Sequence, residues 1–265
     1  MQKQADLKIL PRDAIPVALA RSQMYSFLST TFLCPGEGGL ELIRIGLAAS
    51  VAALPVLANE GGGKLASGLA ALQNRLQVLS GDGLQAEYRR VFGHLISREC
   101  PPYETEYGQA HIFGQSQAMA DISGFYCAFG LELSSNAMER FDHISTELEF
   151  MHFLSFKEAH ALEHHGEEQA DICRQAQRKF VQEHLGRWVP LFTRLLVDKA
   201  GDGFYRALAE LSRAFVTWET RHLGVRPREL RPTDFQPGEF DPEGGCFDCG
   251  WQEISEIGAG IVPPT

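Results

Sequence analysis

Apolar residues recur at three- and four-residue steps along most of this chain. Val17, Ala20, Met24, Phe27, Leu28 and Phe32 form one such stripe, which stops at Cys34-Pro35-Gly36. That spacing predicts a helix with one buried face. A second apolar helix is expected from about Leu40 to Leu54, ending near Pro55. After the Gly61-Gly62-Gly63 loop, Leu65, Leu69, Leu72, Leu76 and Leu79 mark a third. Gly81-Asp82-Gly83 breaks the pattern, and a short helix then carries Tyr88, Val91 and Phe92. Residues 93–114 look irregular around Pro101-Pro102. Helices resume at about 115–129, 142–164, 168–185, 188–200 and 204–223. Strand-like alternation is almost absent and the connections are short. The expected fold is all-α, a single helical-bundle domain over residues 1–224. Residues 225–265 differ in character: Pro227, Pro232, Pro237, Pro242, Pro263 and Pro264 interrupt them, helical periodicity is weak, and they are expected to form an irregular C-terminal tail.

The segment Asp142-His143-Ile144-Ser145-Thr146-Glu147-Leu148-Glu149-Phe150-Met151 stands out within this pattern. Asp142 is a natural N-cap, because its carboxylate can accept from the free amides of a first turn. At about 3.6 residues per turn, Glu147 falls on the apolar face with Met151 and Leu154, and His143 lies one turn earlier. A carboxylate there is costly without a partner, so Glu147 is expected to be buried and hydrogen-bonded.

Composition narrows the class. The 265 residues are 44% hydrophobic and 22% charged, ordinary for a globular chain with a substantial core. A formal charge of −10 argues against general nucleic-acid affinity and fits a basic partner such as a cationic peptide. The six cysteines are scattered rather than arranged as a disulfide framework. Residues 1–16 show no apolar signal region, and the apolar stretch from Val17 to Leu33 is broken by Arg21, Ser22 and Gln23. A reduced, cytoplasmic protein without stable membrane insertion is the expectation.

Several constellations invite a chemical reading. Glu149-x-x-His152 and Glu219-x-x-His222 resemble the paired motifs of di-iron carboxylate bundles, with Glu87 as a candidate further ligand and Glu41 or Glu132 as weaker ones. This is the rival reading, an enzyme rather than a binding protein. His160 and His164 sit four apart but belong to a solvated helix end with Glu158, Glu163 and His165. Cys246-x-x-Cys249 lacks the second ligand pair of a structural zinc site and the strand-to-helix setting of a redox motif. No phosphate loop, nucleophile elbow or zinc-protease pair is present, so no catalytic residue, metal ligand or cofactor is assigned. In Cys100-Pro101-Pro102-Tyr103-Glu104-Thr105-Glu106-Tyr107, paired prolines stiffen a loop that offers two amphipathic rings.

Taken together, Glu87-Tyr88-x-x-Val91-Phe92-Gly93, Pro101-Pro102-Tyr103-Glu104-x-x-Tyr107 and Asp142-His143-x-x-x-Glu147-Leu148-x-Phe150-Met151 resemble the TorD/DmsD family of molybdoenzyme maturation chaperones. The resemblance implies an all-α protein that binds the twin-arginine leader and apoprotein of a molybdopterin-containing oxidoreductase. It also implies help with cofactor insertion and delay of export, as a monomer with a minor dimer. Pro101, Pro102, Tyr103, Glu104 and Tyr107 would form one wall of the leader groove. Asp142 and His143 would face the ligand from another, with Tyr88 and Phe92 in support and Glu147 holding helix and loop in register. Glu104 and Asp142 are the expected partners of the leader arginines. Where the family's loop often has Trp, this chain has Tyr103, whose hydroxyl needs a partner. A family link to guanine nucleotides finds no phosphate loop here.

Overall fold

The first stripe is buried as its spacing predicts: Met24, Phe27, Leu28 and Phe32 are at most 2% exposed on α1 (Ala14–Phe32). A computed structural model describes residues 14–57, 62–93, 99–108, 112–134, 137, 139–235 and 261–262. After α1 come α2 (Gly39–Leu57), α3 (Gly63–Val78), α4 (Gly81–Phe92) and α5 (Ile112–Ala128). They are followed by α6 (Ile144–His164), α7 (Glu167–Phe180), α8 (Gly186–Ala200) and α9 (Phe204–His222). The fold is all-α; among the described residues the only sheet pairs β1 (Glu132–Leu133) antiparallel with β2 (Ile261–Val262), Glu132 opposite Val262 and Leu133 opposite Ile261.

Helix α1 lies against α6 and α2, α7 against α6, and α9 against α8 and α3. Gly68 lets α3 approach α9 closely, since a Cβ there would stand 2.9 Å from Leu211 Cδ1. Phe125 and Phe150 meet Phe180 edge-on, and Tyr126 lies tilted against Phe150, between α5, α6 and α7. Each buried aromatic of this kind contributes about 1.5–3 kcal/mol of transfer free energy. Helix α2 runs through Pro55 to Leu57 rather than ending before it. It is the one described helix long and apolar enough to cross a membrane by length and composition, and it packs Ile43, Leu47 and Leu57 inward.

The expected helix over 168–185 is divided. Helix α7 ends at Phe180 and a π-helical turn, Val181–Leu185, leads into α8. Gly186 is required at that junction: a Cβ would lie 2.5 Å from the Val181 carbonyl oxygen and collide with Pro227. That collision reflects how the tail begins. Leu230 N–H donates to Arg187 O at 2.9 Å and Gly108 N–H to Asp234 O at 2.8 Å. Phe235 stacks on Tyr107 at 5.1 Å, so residues 225–235 lie along the helices. Cys246 and Cys249 fall outside the described residues.

Candidate functional site

The proline loop and the start of α6, some forty residues apart in sequence, are laced together by backbone. Tyr103 and His143 form an antiparallel bridge. Glu104 N–H donates to Asp142 O and Ile144 N–H to Pro102 O, each at 2.8 Å. Side chains reinforce the clasp, for Asp142 Oδ2 accepts from Thr105 Oγ1 at 2.6 Å and from Thr105 N–H at 3.2 Å. Arg140 completes the set with Nε to Oδ1 at 2.9 Å and Nη2 to Oδ2 at 2.8 Å.

This geometry corrects two expectations. Asp142 is not the N-cap of α6; His143 is, its Nδ1 accepting from Ser145 N–H at 3.2 Å. Asp142 was free to cap only until Arg140 and Thr105 claimed both its oxygens. Nor do Asp142 and His143 face outward, since both are fully buried. Burial pushes the Asp142 carboxyl up, but the Arg140 and Thr105 hydrogen bonds outweigh it and hold the pKa below its ordinary value. Burial also depresses His143, which is held neutral against the opposing pull of Glu139 and Asp142.

Tyr103 remains partly exposed, and its hydroxyl finds the partner it needs in Glu139 Oε2 at 2.7 Å. The Arg140 guanidinium lies over its ring, 4.3 Å from the centroid. Pro101, Pro102 and Tyr107 are buried beneath. Tyr107 donates to Pro101 O at 2.8 Å and packs between Trp188 and Phe235. Tyr88 and Phe92 stack on each other and on Tyr205 of α9, with Tyr88 close enough to Glu139 to feel its charge. The outer surface of the clasp is therefore Tyr103, Thr105, Glu106 and Arg140, all half-buried.

Glu147 is buried with a partner, as its position on the apolar face requires. Trp188 Nε1 donates to its Oε2 at 3.0 Å. Burial and the neighbouring Glu104 carboxylate raise its pKa well above the ordinary range, against the Trp188 bond. Glu104 turns its oxygens to His184 Nδ1, at 3.1 and 3.2 Å. His184, Trp188, Glu139 and Arg140 were not singled out by sequence. Only Arg140, two residues before Asp142, stood in a position that pointed to this role.

The di-iron arrangement fails on geometry. Both Glu219 oxygens accept from the buried Arg21, Nε at 2.7 Å and Nη2 at 2.9 Å, and Arg21 Nη1 reaches Glu158 at 3.0 Å. A guanidinium already occupies the place a metal would need. His152 Nδ1 pairs with Ser22 Oγ at 2.8 Å, and Glu87 caps α9 by accepting from Tyr205 N–H at 3.0 Å. His160, His164 and His165 lie exposed at the end of α6.

A family profile described as nitrate reductase delta subunit matches residues 61–194, from the approach to α3 into α8, and so takes in the whole clasp. A perchlorate reductase assembly chaperone protein from Dechloromonas aromatica is 38% identical over 96 residues, 36% of this chain and 42% of that protein. A selenate reductase assembly chaperone protein from Thauera selenatis is 37% identical over 103 residues, 38% of this chain and 52% of that one. The chaperone protein TorD of Vibrio cholerae is 29% identical over 154 residues, 57% of this chain and 66% of that one. The chain thus spans about half the length of the curated relatives it matches.

Proposed function

Because this chain belongs to the nitrate reductase delta subunit family, the TorD/DmsD group, we propose that it is a redox-enzyme maturation chaperone rather than an enzyme. Its partner is the twin-arginine leader and apoprotein of a molybdopterin-containing oxidoreductase subunit. Held in the cytoplasm, the client receives its cofactor before export. The names of the relatives, assembly chaperones for perchlorate and selenate reductases, support this class of client.

One observation carries the reading: the clasp joins the proline loop to α6 and leaves Tyr103 and Glu106 together on its outer side. Carboxylates beside a half-exposed aromatic ring suit a guanidinium, which takes bidentate carboxylates and stacks on ring faces. Arg140, 3.5 Å from Glu106 and over the Tyr103 ring, already makes both kinds of contact. A leader arginine would use the same chemistry, with Glu106 as acceptor, while Glu104, its oxygens turned to His184, braces the loop from within. Asp142, His143 and Glu147 act from beneath, holding that surface in shape.

The test is fluorescence anisotropy with a labelled peptide carrying two consecutive arginines ahead of an apolar segment, and a two-lysine version as control. The arginine peptide should bind more tightly, and Glu106→Gln and Tyr103→Ala should each weaken it about tenfold with helix content unchanged. Equal binding of both peptides, or indifference to both substitutions, would overturn the assignment.

A further inference from the structure

The π-helical turn between α7 and α8 does something the leader surface does not require. It presents Glu183 and His184 side by side, because an i→i+5 turn narrows the angular step between consecutive side chains. His184 is 3% exposed and wedged between Phe125 and Phe180, with ring centroids at 5.3 and 4.9 Å. Its Nδ1 lies 3.1 and 3.2 Å from the two Glu104 oxygens, so that as a metal ligand the ring would donate from Nδ1 to Glu104 and offer Nε2. That buried Nε2 has no hydrogen-bond partner, and Asp121 Oδ2 of α5 stands 3.5 Å from it. One ligand atom from each of Asp121, Glu183 and His184 lies within 4.8 Å of the others.

We propose that Asp121, Glu183 and His184 bind a first-row divalent cation, Zn2+, with Glu104 orienting the imidazole and a water completing the coordination. A neutral imidazole backed by a carboxylate is the usual arrangement of a metal-binding histidine. One nitrogen with two carboxylate oxygens suits zinc and disfavours magnesium, which prefers oxygen alone. Tetrahedral ligands at zinc distances stand about 3.3 Å apart, so the Asp121–His184 pair is already near that spacing. Glu183 has 43% of its side chain exposed, with the Lys179 ammonium 3.8 Å away. The bound cation would tie α5 to the π turn and, through Glu104, to the proline loop. This goes beyond the sequence reading, which assigned no metal ligand, and it does not depend on whether a leader binds.

Calorimetric titration of the metal-stripped full chain with ZnCl2, with MgCl2 as control, tests the site. Wild type should take up roughly one equivalent of zinc and no magnesium. Asp121→Asn and Glu183→Gln, at exposed side chains, should weaken zinc binding at least about tenfold while the metal-free melting temperature stays unchanged. His164→Ala and the Cys246→Ser, Cys249→Ser pair should leave it intact. Absence of saturable zinc binding, equal magnesium binding, persistence in Asp121→Asn, or loss with His164→Ala or the serine pair would each overturn the proposal.

Discussion

Arg140 closes over Asp142 from within the chain, donating Nε to Oδ1 at 2.9 Å and Nη2 to Oδ2 at 2.8 Å. A forked guanidinium on a buried carboxylate is the contact a leader arginine was expected to make. Since the internal arginine already makes it, Asp142 is a strut of the site and its effect on binding runs through the loop.

Asp142→Ala should therefore cost stability as well as affinity. It strands the Thr105 N–H and hydroxyl and releases Arg140, at a cost of about 2 kcal/mol. Urea unfolding should show the loss, and Asp142→Asn, which still accepts from Thr105, should lose less. An alanine variant as stable as wild type would mean that the clasp does not hold the loop.

Two histidines, the buried His143 and the half-buried His152, contribute to the acid side of the stability profile. Burial lowers the pKa of both His143 and His152 below the ordinary 6.5. The native state then binds fewer protons than the unfolded chain, so stability is full above about pH 6.5 and falls as pH drops below it. Each contributes a slope of at most about 1.4 kcal/mol per pH unit. His143→Asn keeps a capping side chain but removes one titration, so its urea midpoint should depend less on pH between 7 and 5.5.

Glu147 acts in the opposite sense. Burial and Glu104 raise its pKa, so the native state keeps a proton that the unfolded chain releases above about pH 4.3. Stability then falls as pH rises from there toward the raised native pKa. Glu147→Gln can still accept from Trp188 without titrating. At pH 8 it should be more stable than wild type. A variant less stable at every pH would show that the carboxyl does more than fill its place.

Arg21 anchors the far side of the bundle. It is 1% exposed and satisfies Glu219, Glu158 and Gln177 together. Removing it leaves the buried Glu219 without its cation and Glu158 with Arg174 alone, at 3.5 Å, so Arg21→Met should destabilise the fold by about 3–5 kcal/mol. Adding Glu219→Gln should recover part of that loss in guanidinium unfolding, whereas two independent additive losses would rule out the coupling.

Much of this protein could be read from residue order alone. The helices, the irregular stretch at Pro101-Pro102 and the burial of Glu147 all follow from local periodicity and the cost of an unpaired carboxylate. Even the need of the Tyr103 hydroxyl for a partner was evident, though not that the partner would be Glu139. What the order could not supply was which polar groups meet. Arg21 and Glu219 are 198 positions apart, and Glu104 and His184 are 80 apart. Such pairings depend on how helices pack, and packing angles are set by the whole set of side chains between them. The same reason explains the reversal at Asp142: capping propensity is local, but Arg140 and the folded-back Thr105 outcompete the first turn of α6. The π turn at Val181–Leu185 is likewise invisible to periodicity, because it belongs to the meeting of α5, α7 and the proline loop around His184.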